Sequence, residues 1–266
     1  MTDQRDGSYK LGDLEGPEKE LDRLRKQGEN FKHLEVGILR KVGLQAHHKV
    51  LELGCGPGFV SKIIAEVACD GAMVCVDVDQ QLLDILPKEV TKPPKGGLKV
   101  YRCSADAVPV EDGWADFTYA RFLLQHVPDP LAIVREAYRA TAPGGRFCAV
   151  DSDDGLILHF PEDARIGQFL RDAEAAQAEH GGDRFVGRKQ MSLMQQAGFS
   201  KVNATIVSLT STEIPFHALA GILFGYKSSL LGRREAAQTM LAELTQAAGA
   251  GKFLLCGGVF VVTGEK

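Results

Sequence analysis

Several things are scarce or missing in this chain. Its six cysteines (Cys55, Cys69, Cys75, Cys103, Cys148 and Cys256) form no CxxC pair, which argues against a zinc site or a disulfide framework. Several fall inside apolar runs, where a free thiol behaves as a small hydrophobe. There is no cationic surplus: 31 Lys and Arg against 35 Asp and Glu leave a formal charge of −4, so no global basic field recruits nucleic acid or anionic lipid. No apolar stretch reaches the roughly 18 residues of a spanning helix. The opening, MTDQRDGSYK, has no apolar segment of the kind that begins a secretion signal. Internal repeats and low-complexity tracts are absent too. The expectation is a soluble, cytoplasmic protein with reduced thiols and with neither a nucleic-acid nor a membrane partner; its oligomeric state is not readable. What is present is ordinary globular composition, 266 residues with 44% hydrophobic and 25% charged, enough for one large domain or a domain plus a cap.

Periodicity gives the organisation. Residues 17–42 place Leu21, Leu24, Phe31, Leu34 and Ile38 at helical spacings between charges, an amphipathic helix with a break expected near Gly28. An alternation then begins. KVLEL (49–53) reads as a strand, 59–69 as a helix, AMVCVDV (72–78) as a second strand, and 79–90 as a helix cut short by Pro87. LKVYRC (98–103) and DFTYARF (116–122) read as strands three and four, followed by a helix over 129–140 stopped by PGG, and RFCAVDS (146–152) as strand five. Short apolar strands alternating with helices imply βαβ units and a parallel sheet. Beyond Asp151 the rhythm changes to helices over 161–180 and 188–198, a strand over 201–212, helices over 216–230 and 234–247, and a last strand, GVFVVTG (258–264). This divides the chain into an N-terminal helical cap (1–44), a nucleotide-type core (45–152) and a C-terminal part (153–266) that completes the sheet and adds cap insertions.

The densest signal is VLELGCGPGF (50–59). A glycine-rich turn between a first strand and a helix lets a ligand approach the backbone, where a side chain would clash. A dinucleotide fingerprint, G-x-G-x-x-G, reserves its third glycine for close helix–strand packing beneath a pyrophosphate. Here Gly54, Gly56 and Gly58 follow G-x-G-x-G, and Phe59 stands where that glycine belongs. A ligand that needs a bare turn but has no pyrophosphate fits better.

VLELGCGPGF resembles the first motif of the class I S-adenosylmethionine-dependent methyltransferases, and the other motifs follow in order. The resemblance is to a small-molecule branch like the bacterial enzymes of ubiquinone and menaquinone biosynthesis. It implies a doubly wound, Rossmann-like α/β fold whose sheet has seven strands, the last inserted antiparallel, under a helical cap. It also implies that Gly54 and Gly56 seat the amino-acid end of the cofactor, with Gly58 serving turn geometry, and that Glu52 orients the turn and the cofactor's amino group. VCVDVD aligns Asp77 with the ribose ligand, next to Val78; an ionised carboxylate there accepts both ribose hydroxyls, and crevices form at the ends of parallel strands. Asp79 suits the next helix's N-cap. CSADAVPVEDGWADFTYA resembles the adenine segment, with Asp106 at the amino group and the Ala107 N–H at a ring nitrogen. ARFLLQHVPDP resembles the strand-four motif, where Arg121 passes the cofactor and Gln125 and His126 lie just beyond. The opening resembles a cap in which Tyr9 and Gln27 close over the site.

Several residues keep two readings. His126 is either a general base taking the acceptor's proton or a histidine that bonds a loop carbonyl and orients structure. Arg121 faces the cofactor, binds an anionic substrate, or packs its stem with its head in water. Asp151, Asp153 and Asp154 follow strand five. Metal-dependent catechol-type methyltransferases place ligands near there but also need an acid after strand four, where this chain has Arg121. No metal is therefore expected, and the cluster reads as a solvated turn or a polar substrate edge with Asp151 on it. TKPPKGG lacks the base-stacking aromatic of the N/D-P-P-Y motif and precedes strand three, so a base-methylating role is rejected. DRFVGRK (183–189) reads as a helix start with solvated charges. HALAGILFGYKSSLL (217–231) reads as core helix and as candidate lining for an apolar acceptor. The expected function is methyl transfer from S-adenosyl-L-methionine, leaving S-adenosyl-L-homocysteine, to a small, partly apolar molecule. A non-catalytic protein binding the same cofactor and an NAD(P)-dependent oxidoreductase are the alternatives, the latter disfavoured by Phe59.

Overall fold

Val50, Leu51, Glu52 and Leu53 are all buried. The strand they form, β1 (Lys49–Leu53), pairs in parallel with β2 (Ala72–Asp77) on one edge and β4 (Ala115–Arg121) on the other. A central parallel strand covered on both faces has no solvent side, which is why its sequence is a near-continuous apolar run. In this computed structural model, which describes Tyr9, residues 17–232 and residues 234–266, β3 (Leu98–Arg102) extends the sheet beyond β2 and β5 (Thr141–Ser152) beyond β4, both in parallel. The last strand, β8 (Leu254–Glu265), lies antiparallel between β5 and β7 (Ser200–Thr210). The order is therefore β3-β2-β1-β4-β5-β8, with β7 on the outer edge of β8.

Among the described residues the strand count is eight, one more than the resemblance implied. The additional strand, β6 (Leu158–Phe160), is three residues long and pairs with the beginning of β8. Cys256 of β8 faces Leu158 on one edge and Thr210 of β7 on the other. So β6 prolongs the position of β5 after an intervening turn, and the sheet remains seven strands wide.

The helices are α1 (Pro17–Asn30), α2 (Lys32–Lys41), α3 (Phe59–Val67), α4 (Gln80–Leu83), α5 (Leu86–Glu89) and α6 (Pro130–Ala140), then α7 (Ala164–Glu179), α8 (Val186–Ala197), α9 (Phe216–Leu230) and α10 (Arg234–Gly249). Alternate residues of each strand serve opposite faces. Val50, Met73 and Tyr119 pack with Leu39 of α2 and Ile64 of α3, while Leu51, Val74 and Phe147 pack with Val134 of α6 and Met194 of α8. A third core gathers Phe169 of α7, Phe224 of α9, Leu244 of α10 and Leu255 of β8. No helix among the described residues is long and apolar enough to cross a membrane.

Local differences from the sequence reading have physical causes. The N-terminal helix breaks at Phe31 and not at Gly28. Gly28 stays helical because a Cβ there would stand 3.1 Å from the Cβ of Phe59, so glycine lets α1 press on the start of α3. The helix expected over 79–90 is two single turns, with Pro87 in the first turn of the second, where its missing N–H is not needed. Asp79 caps the first by accepting the Gln81 N–H at 2.9 Å. PGG does not stop α6: the chain enters β5 at Thr141, and the glycines are absorbed where the β4–β5 register shifts. Asp129 and Pro130 open α6 as cap and first residue, the Asp129 carboxylate accepting the Ala132 N–H.

Candidate cofactor and acceptor site

The three glycines after β1 all have positive φ: +67° at Gly54, +54° at Gly56 and +87° at Gly58. The Gly54 and Cys55 N–H groups both donate to the Val76 carbonyl, at 2.9 and 3.0 Å, which ties the turn to the end of β2. Beyond conformation their reasons differ. A Cβ at Gly54 would lie 2.9 Å from Leu123 Cδ1, and one at Gly58 2.7 Å from Leu86 Cγ, so these two permit close packing. At Gly56 a Cβ would meet nothing within 4 Å. It would enter a cavity of about 360 Å³ that runs from the glycine turn to α9. Phe59 explains itself here: it walls the cavity, receives Gly28 of α1, and carries the Arg25 guanidinium 5.3 Å from its ring centre.

Of the candidate catalytic, cofactor-binding and substrate-binding residues read from sequence, all but Ala107 and Asp151 line this cavity. Asp77 accepts the Gly56 N–H at 2.8 Å on one oxygen and the Asp79 N–H at 3.0 Å on the other. Burial raises its pKa above the usual carboxylate value, and the backbone donors pull against that. Glu52 is buried beneath the turn, with the Cys75 thiol donating at 3.5 Å, and burial pushes its carboxyl up to about 8. Val78 and Asp106 face the same space, Asp106 being exposed at its rim. The Ala107 N–H, expected at the adenine, instead donates to the Ser104 carbonyl at 3.2 Å. That donor is consumed within its own turn.

The cap closes the other side through residues the sequence did not single out. Glu35 of α2 pairs with Arg121 Nε at 3.0 Å and also accepts the buried Tyr119 hydroxyl. The Arg121 guanidinium lies 4.4 Å from the centre of the Phe122 ring. Phe122 itself has φ +52°, a left-handed conformation uncommon for a side-chain-bearing residue, where β4 ends at the cavity. On α1 the buried Glu20 accepts the Tyr9 hydroxyl at 2.8 Å and both Nε and an Nη of Arg23, at 2.8 and 2.6 Å. Arg23 reaches on to Gln27 Oε1 at 3.1 Å. Tyr9 and Gln27 are thus held by one charged chain along α1.

At the far end the rings of Tyr9, His126 and Tyr226 cluster, with centres 5.1 to 5.5 Å apart. Gln177 fixes the histidine. Its Oε1 accepts from Arg184 at 3.2 Å, which leaves its amide NH2 to donate to the Gln125 carbonyl and, at 3.3 Å, to His126 Nδ1. An Nδ1 that accepts puts the proton of the neutral ring on Nε2. Burial, with the charges of Arg184 and Arg23, pushes the imidazole down to about 3. Of the two readings of His126, this setting favours the orienting one, because such a ring stays neutral and takes up no proton near neutrality.

The acids after β5 are not a solvated turn. Asp151, Asp153 and Asp154 are all buried. Asp151 lies behind the cavity wall, its oxygens accepting the Ser152 and Gln125 N–H groups at 3.0 and 3.3 Å, and burial pushes it up to about 7. It is not a substrate edge. Asp153 pairs with Arg188 at 2.5 Å, and Asp154 with both Arg184 at 2.9 Å and Lys227 at 3.1 Å. The charges of DRFVGRK therefore turn inward at Arg184, which also donates to Gln125 Oε1 at 2.8 Å. Among the described residues no group of three or more His, Cys, Asp or Glu side chains is placed to hold a metal ion. Helix α9 serves twice, as expected: Phe216 and Phe224 enter the third core, while Leu219, Ile222, Leu223, Tyr226 and Lys227 line the cavity.

Residues 51–149 match a family described as methyltransferase domain. A 37.1 kDa protein of transposon TN4556 from Streptomyces fradiae is 30% identical over 168 residues, 60% of this chain and 45% of its own length. A demethylmenaquinone methyltransferase of Geobacillus kaustophilus is 24% identical over 124 residues, 46% of this chain and 53% of the relative. The YcgJ protein of Bacillus subtilis has the same fold, with a TM-score of 0.61 over 88% of this chain and 98% of that one at 18% identity. The chain spans about half the length of the curated relatives it matches. Over residues 51–149 the core thus matches a methyltransferase domain, and its sheet order, with the bare turn bracketed by Glu52 and Asp77, is the class I methyltransferase fold. The cofactor of that class is S-adenosyl-L-methionine, and the open approach at Gly56 with a carboxylate beside it suits that molecule.

Proposed function

We propose that the protein transfers the methyl group of S-adenosyl-L-methionine to a small, partly apolar molecule and releases S-adenosyl-L-homocysteine. The observation that carries this reading is the continuity of one cavity from Gly56 and Asp77 to the apolar side chains of α9. The bare turn and Glu52 would hold the amino-acid end of the cofactor, Asp77 the ribose, and Asp106 the adenine. When bound, the sulfonium supplies an activated methyl that departs from a neutral thioether. The chain's own contribution is alignment and exclusion of water. Alignment of that kind lowers a barrier by about 7–11 kcal/mol. Tyr9, Gln27, Glu35 and Arg121 form the wall on the α1–α2 side, and His126 with Tyr226 forms the wall where the acceptor meets the cofactor.

An apolar acceptor is supported by Leu219, Ile222 and Leu223 and by the similarity to a protein named for methylating demethylmenaquinone. The formal charge of −4 and the enclosure by α1 and α9 support a small molecule over a nucleic acid. A neutral His126 supports acceptors that ionise themselves or attack before losing a proton. The test is calorimetric titration of S-adenosyl-L-homocysteine and NAD into the protein and its Asp77→Ala variant, followed by turnover of labelled cofactor against a metabolite panel. The expected result is homocysteine-derivative binding alone, weakened about a hundredfold by Asp77→Ala. Preference for NAD, or affinity indifferent to Asp77, sinks the reading. Binding without turnover of any acceptor would make the chain a cofactor-binding protein.

A further inference from the structure

The acceptor end of the cavity holds more buried positive charge than its carboxylates balance. Arg23 is matched by Glu20, Arg121 by Glu35, and Arg188 by Asp153. Arg184 and Lys227 share one carboxylate, Asp154. Both cations are more than nine-tenths buried, and both line the cavity. Asp151 feels the Arg184 charge from behind the wall, but its oxygens go to backbone N–H groups and it pairs directly with neither cation. His126, between Arg23 and Arg184, is neutral, and Tyr9 and Tyr226 bring no charge. Among the described residues, one of the two cations is thus without a contact carboxylate of its own.

Lys227 is that cation. Its ammonium donates to the Leu223 carbonyl at 2.5 Å and to Asp154 Oδ1 at 3.1 Å. An ammonium has three N–H groups, so one donor remains. Lys227 is also the only cation in an otherwise apolar and weakly polar 15-residue helix, and its neighbours Leu223 and Ile222 form the apolar wall of the same space. An unbalanced buried charge is unfavourable until an opposite charge joins it. Burial and the Arg184 charge push the amine down to about 7, and Asp154 pulls against them.

Resting on the reading of this cavity as an acceptor site, we infer that the acceptor is an amphiphilic acid, its apolar body on α9 and a single carboxylate docked on Lys227 beside Arg184. One leftover charge matches a monoanion; a dianionic phosphate would overcompensate it. Arg184 has its guanidinium committed to Asp154, Gln125 and Gln177, so it acts as a second field and Lys227 as the contact.

The experiment is calorimetry with hexanoate, octanoate and decanoate and their primary amides, on the free protein and on the protein loaded with S-adenosyl-L-homocysteine. The acids are expected to bind about tenfold more tightly than the amides. Lys227→Met should erase that preference and leave the affinity for S-adenosyl-L-homocysteine unchanged; Lys227→Arg should retain it. Lys227→Met leaves Arg184 and Asp154 as a neutral pair, so its thermal midpoint should equal or exceed that of the wild type. Equal affinity for acid and amide in the wild type, no binding of any acid, or a preference that survives in Lys227→Met overturns the inference. If Lys227→Met fails to fold, the wild-type comparison and Lys227→Arg still decide. Failure of S-adenosyl-L-homocysteine to bind would overturn the transferase reading instead, and the acid–amide comparison on the free protein stands apart from it.

Discussion

Glu35 and Arg121 meet at 3.0 Å between α2 and the end of β4, and the Tyr119 hydroxyl donates to the same carboxylate. One acid thus joins the cap to the strand that ends at the cavity. Removing one partner of such a pair leaves the other charge stranded. Glu35→Ala is expected to lower the unfolding free energy by about 3 kcal/mol, and Glu35→Gln, which keeps an acceptor for Tyr119, by about 1 kcal/mol. Urea unfolding of the two variants checks the order.

The glycine turn should separate into folding and binding positions. Gly56→Ala meets no neighbour and carries only the penalty of a left-handed residue, about 1–2 kcal/mol. Its methyl enters the cavity, so affinity for S-adenosyl-L-homocysteine should drop at least about a hundredfold in a protein that still folds. Gly58→Ala would push on Leu86 Cγ at 2.7 Å and Leu86 Cα at 3.1 Å. It should lose about 3 kcal/mol of stability by overpacking added to strain. Thermal melts with calorimetry on each variant give the comparison.

Glu52 should leave a signature in stability against pH. Its carboxyl is raised from 4.5 to about 8 in the fold. Across that window the native chain keeps a proton that the unfolded chain has lost, so its contribution is full below the lower value and fades as pH rises to the upper one. Glu52→Gln cannot ionise. The variant's stability relative to wild type should therefore improve by roughly 1 kcal/mol per pH unit between about pH 5 and about pH 8. Asp151, raised to about 7 by burial, acts in the same direction but is common to both proteins and cancels.

His126 should behave as a wall. With Nδ1 occupied by Gln177 and the ring held down to about 3, the pH profile of kcat/KM should keep its shape in His126→Asn. The rate should fall by less than the roughly hundredfold that loss of a general base produces. Disappearance of an acidic limb in the variant would restore the base.

What the sequence conveyed and what it withheld divide by chain continuity. The turn at Gly54–Gly58 and the carboxylates of Glu52 and Asp77 sit at ends of consecutive strands, so a few neighbouring letters specify them. Their strands appeared at nearly the observed bounds because parallel strands covered on both faces must be apolar throughout. Glu35 reads in sequence as one more charge on an amphipathic helix, and only the packing of α2 on β4 gives it Arg121. Asp154, Arg184 and Lys227 come from three separate elements, and burial inverted the solvated reading of the first two. Lys227 did leave a trace: a lone cation in HALAGILFGYKSSLL is out of place in a purely structural helix. Ala107 was assigned by resemblance to a motif and Asp151 by its place after strand five, and local hydrogen bonds to Ser104 and to the Gln125 and Ser152 amides redirected them.

The third core, built from α7, α9 and α10, shares none of its buried residues with the two that clamp the sheet. Its cavity-facing helix, α9, can therefore change at Ile222 without disturbing the bend that follows β1. On the proposed reading, changes along that helix would alter which acceptor is taken and leave the donor's seat as it is.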